Sequence, residues 1–318
     1  MSVRPPLSCA FAARVGGPVA TNRHPVEVWR LPEAERRAGR RALTWTVGPD
    51  GELAVLVVPE QHATPPGAWP FIRLPFDGEV VVLGRHGEWR VPLTGVGASP
   101  DHLALLPGHR ILLTDARSGR DGEDWLPNGV VYGADGSPSR ELLLGDDVRA
   151  LVTDRDGRIW MAYGDEGIYG DHPMAIPGLR AADTRGWPVW SPRDRPQDRL
   201  PDYPLEGLAG ATEGRHAWLA WYPSSSGSYL TRIDPVDGSA TTVPCPVRLP
   251  AGFAVRGREG VFLSRSGELT RHLLVGTQWK RTGGRRLRLP GGIDPGPAHG
   301  RDGTLWFRSG DGWYRVEA

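Results

Sequence analysis

Carboxylates, histidines and one amide, spread over stretches rich in turn formers, are the side chains of this sequence best suited to chemistry. Asp165 and Glu166 stand side by side, directly after the apolar run Ile159 to Tyr163. Two carboxyl groups in different surroundings titrate apart, so one can act as acid and the other as base. His172 follows in the same stretch and adds a group that titrates near neutrality. Glu166, Asn128 and Asp165 also supply the hard oxygen ligands that Ca²⁺ or Mg²⁺ prefers. The catalytic candidates are therefore Glu166, Asp165 and His172, and the metal candidates Glu166, Asn128 and Asp165. A divalent cation, Ca²⁺ or Mg²⁺, is the cofactor this set would take. A ligand pocket needs apolar walls and a few convergent polar groups. His62, Asp124, Trp125, Asn128, Tyr163, Tyr169, Trp221 and Tyr222 are the candidates for that lining. The competing reading of each acid is a turn former with a solvated charge.

Other constellations carry less. Ser224-Ser225-Ser226-Gly227 has no nucleophile-elbow context. Gly283-Gly284 and Gly291-Gly292 lack the strand-then-helix setting of a phosphate cradle. Lys280, Arg281, Arg285, Arg286 and Arg288 form a basic hairpin that reads as solvated surface, because Lys280 is the one lysine and arginine is favoured throughout. His109, His216 and His299 read as structural.

The elements that must position these residues come from a repeat. An acidic residue, Gly, an apolar residue and Trp recur in Asp156-Gly157-Arg158-Ile159-Trp160, Glu213-Gly214-Arg215-His216-Ala217-Trp218 and Asp302-Gly303-Thr304-Leu305-Trp306. Weaker copies start at Asp50, Glu259 and near Pro107, so the period is about fifty residues. Asp-Gly supplies the positive φ angles of a two-residue hairpin turn. Four short strands fit in each period, as in a β-propeller blade. The fourth strand of the fifth repeat is expected at 285–289. The sixth repeat has only three strands before the chain stops, and Pro25 to Leu31 supplies the missing fourth, with Trp29 matching Trp89 and Trp190. The expected fold is an all-β, six-bladed β-propeller over 23–318, its last blade closed by the N-terminal strand and preceded by an extension, 1–22. Pro32 to Arg41 is expected to be a short helix. Long connections fall at Pro59 to Pro70, Asp115 to Asn128, Gly164 to Pro177 and Ser191 to Pro204. They place the candidate site on one face, over blades one to four. The Trp residues 160, 218 and 306 are expected in blade cores.

Asn128 to Gly136, Leu144-Gly145-Asp146-Asp147 and Asp154 to Gly170 resemble a group of bacterial six-bladed propeller-like proteins. The Asp-x-Asp-Gly-x-Ile-Trp phrase is also similar to that of regulator-type and NHL-like propellers. The resemblance implies the fold and brings no catalytic residue with it. In Ca²⁺-dependent lactonase-like propellers Glu, Asn and Asp hold the metal, which implies Asn128 and Glu166 here, although the spacing matches no defined pattern.

Composition excludes several classes. The 318 residues include 43 Gly and 31 Pro, too many helix breakers for a helical protein, and 13 Trp, too many aromatics for a disordered one. A net charge of +1 removes the electrostatic case for a nucleic-acid partner. No apolar run reaches the roughly 18 residues of a membrane span. Only Cys9 and Cys245 are present, which is no disulfide framework. The start has no secretory apolar stretch. The expectation is a cytoplasmic monomer with a small-molecule site, a metal-assisted hydrolase or lyase. The alternative is a non-enzymatic scaffold that binds a protein partner through the same face.

Overall fold

The computed structural model describes residues 24–63, 74–194, 200–223, 227–289 and 297–318. The extension 1–22, Trp69, Ser224 to Ser226, Gly291-Gly292 and parts of two long connections lie outside the described residues. Within them the chain folds into small antiparallel sheets. The first holds β2 (Arg40–Val47), β3 (Leu53–Pro59), β4 (Phe76–Gly84) and β5 (Gly87–Val96). The second holds β6 (His102–Leu106), β7 (Arg110–Thr114), β10 (Gly129–Tyr132) and β11 (Pro138–Leu142), and a two-stranded ribbon, β8 (Arg120–Asp121) and β9 (Asp124–Trp125), rises from it. The third runs β12 (Val148–Thr153), β13 (Ile159–Tyr163), β14 (Leu179–Ala182) and β15 (Pro188–Trp190). The fourth runs β16 (Glu206–Glu213), β17 (His216–Tyr222), β18 (Tyr229–Ile233) and β19 (Ala240–Pro244). The fifth runs β20 (Pro250–Arg256), β21 (Glu259–Ser264), β22 (Glu268–Val275) and β23 (Gln278–Arg286). The fourth strand of the fifth repeat is therefore 278–286, not 285–289. Lys280 and Arg281 lie inside the strand, because it needs the length to pair with β22.

The last set, continuous with the fourth sheet through the parallel β16–β24 pair, contains β24 (His299–Arg301), β25 (Thr304–Ser309) and β26 (Gly312–Glu317). Its fourth strand is β1 (Val26–Arg30), which pairs antiparallel with β26, Trp29 opposite Trp313. The two indoles lie 5.0 Å apart in the core. The expected helix is shorter than read: α1 covers Glu33–Arg37, and 40–41 already belong to β2. No helix among the described residues is long and apolar enough to cross a membrane.

The first strand of each sheet is the innermost. β2 lies beside β6, β6 beside β12, β12 beside β16, β16 beside β20, β20 beside β24, and β24 beside β2. Apolar side chains of facing sheets interleave, so the core is a set of clusters between sheets, such as that of Trp160, Trp190, Leu219 and Trp221. Trp160, Trp218 and Trp306 are all buried. The hairpins between first and second strands define one face, called the hairpin face. The opposite end carries the long connections and is called the loop face. Close to the hairpin face the axis is closed by Arg301, whose guanidinium donates to Val47 O (3.0 Å), Thr153 O (2.8 Å) and Thr212 Oγ1. Thr153 Oγ1 continues the tie to Leu105 O at 2.9 Å. A Cβ at Gly300 would come within 2.0 Å of Phe253 O, so only glycine lets β24 approach its neighbours and pair in parallel with β16.

The hairpins differ from the expected two-residue turn. Asp302 (φ 46) and Gly303 (φ 77) form such a turn. At Asp156-Gly157 only the glycine has positive φ, and Asp154 organises the turn instead. Its Oδ1 accepts Asp156 N and Arg158 N at 3.0 and 2.9 Å, and its Oδ2 accepts the buried Trp160 indole N–H at 2.9 Å. Trp160 is thus tied to its hairpin by an acid. Asp154→Ala leaves that indole donor without a partner in the core. The expected loss is about 3 kcal/mol, summed from one buried orphan donor and two weakened turn bonds. Urea unfolding checks it: the midpoint falls and the slope is unchanged.

Candidate functional site

The residues singled out by sequence occupy several different environments. Asp165 and Glu166 open α2 (Asp165–Tyr169), a single turn on the loop face, and both side chains are exposed. Glu166 forms an ion pair with Arg117, and Asp165 Oδ1 accepts the Glu166 N–H at 3.0 Å. Neither is buried. Asn128 is buried, and its amide is spent on the backbone: Nδ2 donates to Asp115 O (3.0 Å) and Gly145 O (2.8 Å), while Oδ1 accepts Leu144 N at 2.9 Å. It knits the β7–β10 connection to the turn before β12. Asn128 is buried while Asp165 and Glu166 are exposed, and among the described residues no group of three His, Cys, Asp or Glu side chains is placed to hold a metal ion.

His172 is fully buried. Its Nδ1 accepts Met174 N at 3.1 Å and its carbonyl accepts Ala175 N at 3.0 Å, which makes it the keystone of the 172–176 turn. Burial pushes its pKa down, so it stays neutral. The imidazole packs on Trp125 (4.5 Å between ring centres), and the Arg120 guanidinium covers the same indole at 3.9 Å. The contacts of His172 hold the 172–176 turn, while its buried Nε2 has no hydrogen-bond partner among the described residues. Tyr163 and Trp221 are fully buried, their polar atoms bound to Leu144 O (2.7 Å) and Thr231 Oγ1 (2.8 Å), so neither lines a pocket. Burial also pushes the Tyr163 pKa up. Tyr222 is half-buried against the core between the fourth and fifth sheets. Asp124 is exposed in the ribbon, His62 is half-buried beside Phe76, and Tyr169 is 72% exposed on the loop face.

A different set of groups meets at the loop-face ends of the inner strands. The last ladder pair of β6 and β7 is His102 with Thr114. The next residues outward, Asp101 and Asp115, face each other across the open end of that pair. Like charges so placed repel. Burial first, and Asp101 second, raise the Asp115 pKa to about 6. Ala116 N binds Asp101 Oδ2 at 2.9 Å, and Arg117 N binds Asp115 Oδ1 at 2.8 Å, so the backbone fixes both. His102 Nε2 donates to Val148 O at 2.7 Å. The proton is on Nε2, and Nδ1 keeps its lone pair. Burial lowers the His102 pKa, so that lone pair is available at neutral pH. His299, from β24, is also buried, edge-on to Trp45 at 4.6 Å, with its pKa pushed down to about 3 by burial and then by Arg301.

Two neighbouring sheets extend this set. Arg117 binds Asp146 at 2.8 Å, and Arg149 reaches Asp147 (2.8 Å) and Glu206 (3.5 Å). Burial raises the pKa of Asp147 and of Glu206. Several carboxylates thus answer to two arginines, and three of them resist ionisation. Perturbed titratable groups in one place are a mark of functional sites. Asp101, His102, Asp115, Asp147 and Glu206 were not singled out from sequence. The available signal was positional: each sits at or next to the loop-face end of a strand in three consecutive repeats.

Comparison with known proteins adds fold but not chemistry. No family model matches the sequence, and no curated protein matches it. Among solved structures, a chain from a mitotic checkpoint complex aligns over 100% of both chains at 9% identity, with a TM-score of 0.51. A functionally unknown protein from Desulfotomaculum acetoxidans DSM 771 aligns over 84% of this chain and 79% of its own at 10% identity, also with a TM-score of 0.51. A gluconolactonase from Xanthomonas campestris aligns over 96% and 98% at 16% identity, with a TM-score of 0.47. The chain is an all-β, β-propeller-like protein. At these identities likeness of fold says nothing of the reaction.

Proposed function

We propose that the chain is a closed six-bladed propeller, a cytoplasmic monomer, that binds a small molecule on its loop face and acts on it by acid–base chemistry as a hydrolase or lyase. The observation that carries this reading is the Asp101–Asp115 pair beside neutral His102. Asp115 holds a proton up to about pH 6 and can donate it, whereas His102 Nδ1 can accept one. The excess of carboxylates over arginines around the pair favours a neutral or cationic substrate. The groups named are side chains of this chain, and the acid–base roles are assigned to them.

A thermal-shift screen over a metabolite set at pH 5 and pH 7.5 tests it, because a ligand that binds only the native state raises its stability. A hit is expected whose stabilisation disappears in both Asp115→Asn and His102→Ala. A screen without hits, together with a specific protein recovered by pull-down, would replace this reading by the scaffold one.

A further inference from the structure

A second cleft lies on the opposite face and uses none of the groups above. It is a cavity of about 260 Å³ between the first and second sheets at the hairpin face. Its floor is apolar, formed by Val82, Val91, Leu105 and Ile111, all buried. One wall is aromatic: the Trp89 indole and the His109 imidazole meet edge to face at 5.4 Å. The rim is acidic, with Asp50 and Glu52.

Two glycines seat these side chains. A Cβ at residue 84 would lie 2.9 Å from the Trp89 ring, and a Cβ at residue 48 would lie 2.7 Å from Glu52 Oε2. Both contacts are closer than real Cβ atoms allow, so the absence of a side chain at Gly84 and Gly48 sets where the indole and the carboxylate stand. The charges are unbalanced. Arg155 is the one cation on the rim, and it is committed to Asp302 at 2.9 Å and to Asp50 at 3.6 Å. Glu52 Oε2 accepts only the Asp50 N–H at 2.9 Å, and among the described residues no cationic side chain forms an ion pair with Glu52. The cleft thus joins an apolar floor and an aromatic wall to a carboxylate that forms no ion pair among the described residues, the buried Arg301 guanidinium acting on it only through space.

We propose that this cleft binds a small organic cation: a protonated amine carried on a single apolar ring. The ammonium group would pair with Glu52, and the ring would lie against Trp89 and the apolar floor, where a nearby π-system adds to the attraction for positive charge. The volume is just below the ~300–1,000 Å³ of drug-sized ligand sites, so one ring fits where two would not.

Three probes of one shape separate the terms: benzylamine (cation), benzyl alcohol (neutral) and benzoate (anion), each titrated by NMR into the full chain at pH 7 in low salt. Benzylamine is expected to bind with a Kd of about 1 mM or tighter, benzyl alcohol about tenfold more weakly, and benzoate not at all. Glu52→Gln keeps the shape and removes the charge, and should weaken benzylamine about tenfold while leaving benzyl alcohol unchanged. Trp89→Leu should weaken both. Glu166→Gln, on the loop face, should change nothing, which separates this cleft from the acidic groups there. Equal binding of the three probes, no binding of benzylamine, or a benzylamine affinity that ignores Glu52→Gln while falling in Glu166→Gln would each overturn the proposal. Asp50→Asn provides a second charge-removing variant should Glu52→Gln fail to fold.

Discussion

Arg301→Ala is expected to destabilise the fold by about 5 kcal/mol, a large part of the stability of a domain. The guanidinium reaches three other inner strands at once: β2 through Val47 O, β12 through Thr153 O and β16 through Thr212 Oγ1. Alanine removes every one of these bonds, and each buried acceptor left bare costs about 1–3 kcal/mol. It also opens a void on the axis, which adds to the loss. One term runs the other way. Burial pushes the Arg301 pKa down to about 10, so the fold spends free energy on holding this charge away from water. Arg301→Met keeps most of the volume without the charge, and should therefore cost clearly less than alanine. Chemical unfolding of the three proteins measures this. An alanine variant within about 1 kcal/mol of the wild type would mean that strand packing alone closes the axis. The lesser cost of methionine has the opposite use: a methionine variant as damaged as alanine would put the whole effect in the hydrogen bonds.

The repeat was legible because its period is carried by residues that face one way in every copy. Gly157, Gly214 and Gly303 hold positive φ at hairpins, and the Trp residues that follow are buried between sheets. Trp29 announced its strand for the same reason: its partner across β26 is another indole, Trp313. Polar residues carried no such label. Asp154 and Asp165 look alike in sequence, each an acid just after an apolar run, yet Asp154 is buried and accepts four hydrogen bonds while Asp165 is in solvent. Asn128 and Asp124 sit in the same connection, and only Asn128 is drawn inside, because the open backbone groups of the turn before β12 need a donor and an acceptor there. The Asp101–Asp115 pair was hidden for a further reason. The two acids come together through the β6–β7 register, and no local motif records a register. Arg301 was hidden by composition, since one functional arginine among many others has no distinguishing neighbour.

Asp115→Asn is expected to weaken function and strengthen the fold, and the two effects should part with pH. A carboxyl whose native pKa is raised binds more protons in the folded than in the unfolded state between its two values, so stability falls as pH rises through that interval. For Asp115 the interval runs from the ordinary carboxyl range, near 4, to about 6. The penalty is absent below about pH 4 and complete above about pH 7. Its full linkage value would be about 3 kcal/mol, but Asp115 is only half-buried and water screens it, so about 1–2 kcal/mol is expected. Asparagine keeps the shape, cannot ionise and ends the repulsion from Asp101. Urea unfolding should find Asp115→Asn more stable than the wild type by that amount at pH 8, and equal to it at pH 4. The site pays in chemistry. A proton donor removed from an acid–base pair lowers turnover by about 10²–10⁴-fold, and a ligand found by the thermal-shift screen and turned over at this site should show that loss. Asp101→Asn separates the causes: it removes the repulsion but not the burial, so the Asp115 pKa, followed by NMR, should move only part of the way back toward 4. A variant that is neither stabilised at pH 8 nor impaired would show that Asp101 and Asp115 are two solvated turn residues, and the acid–base reading would fall with them. Stability gained by blunting a site is the sign of groups held where folding alone would not hold them.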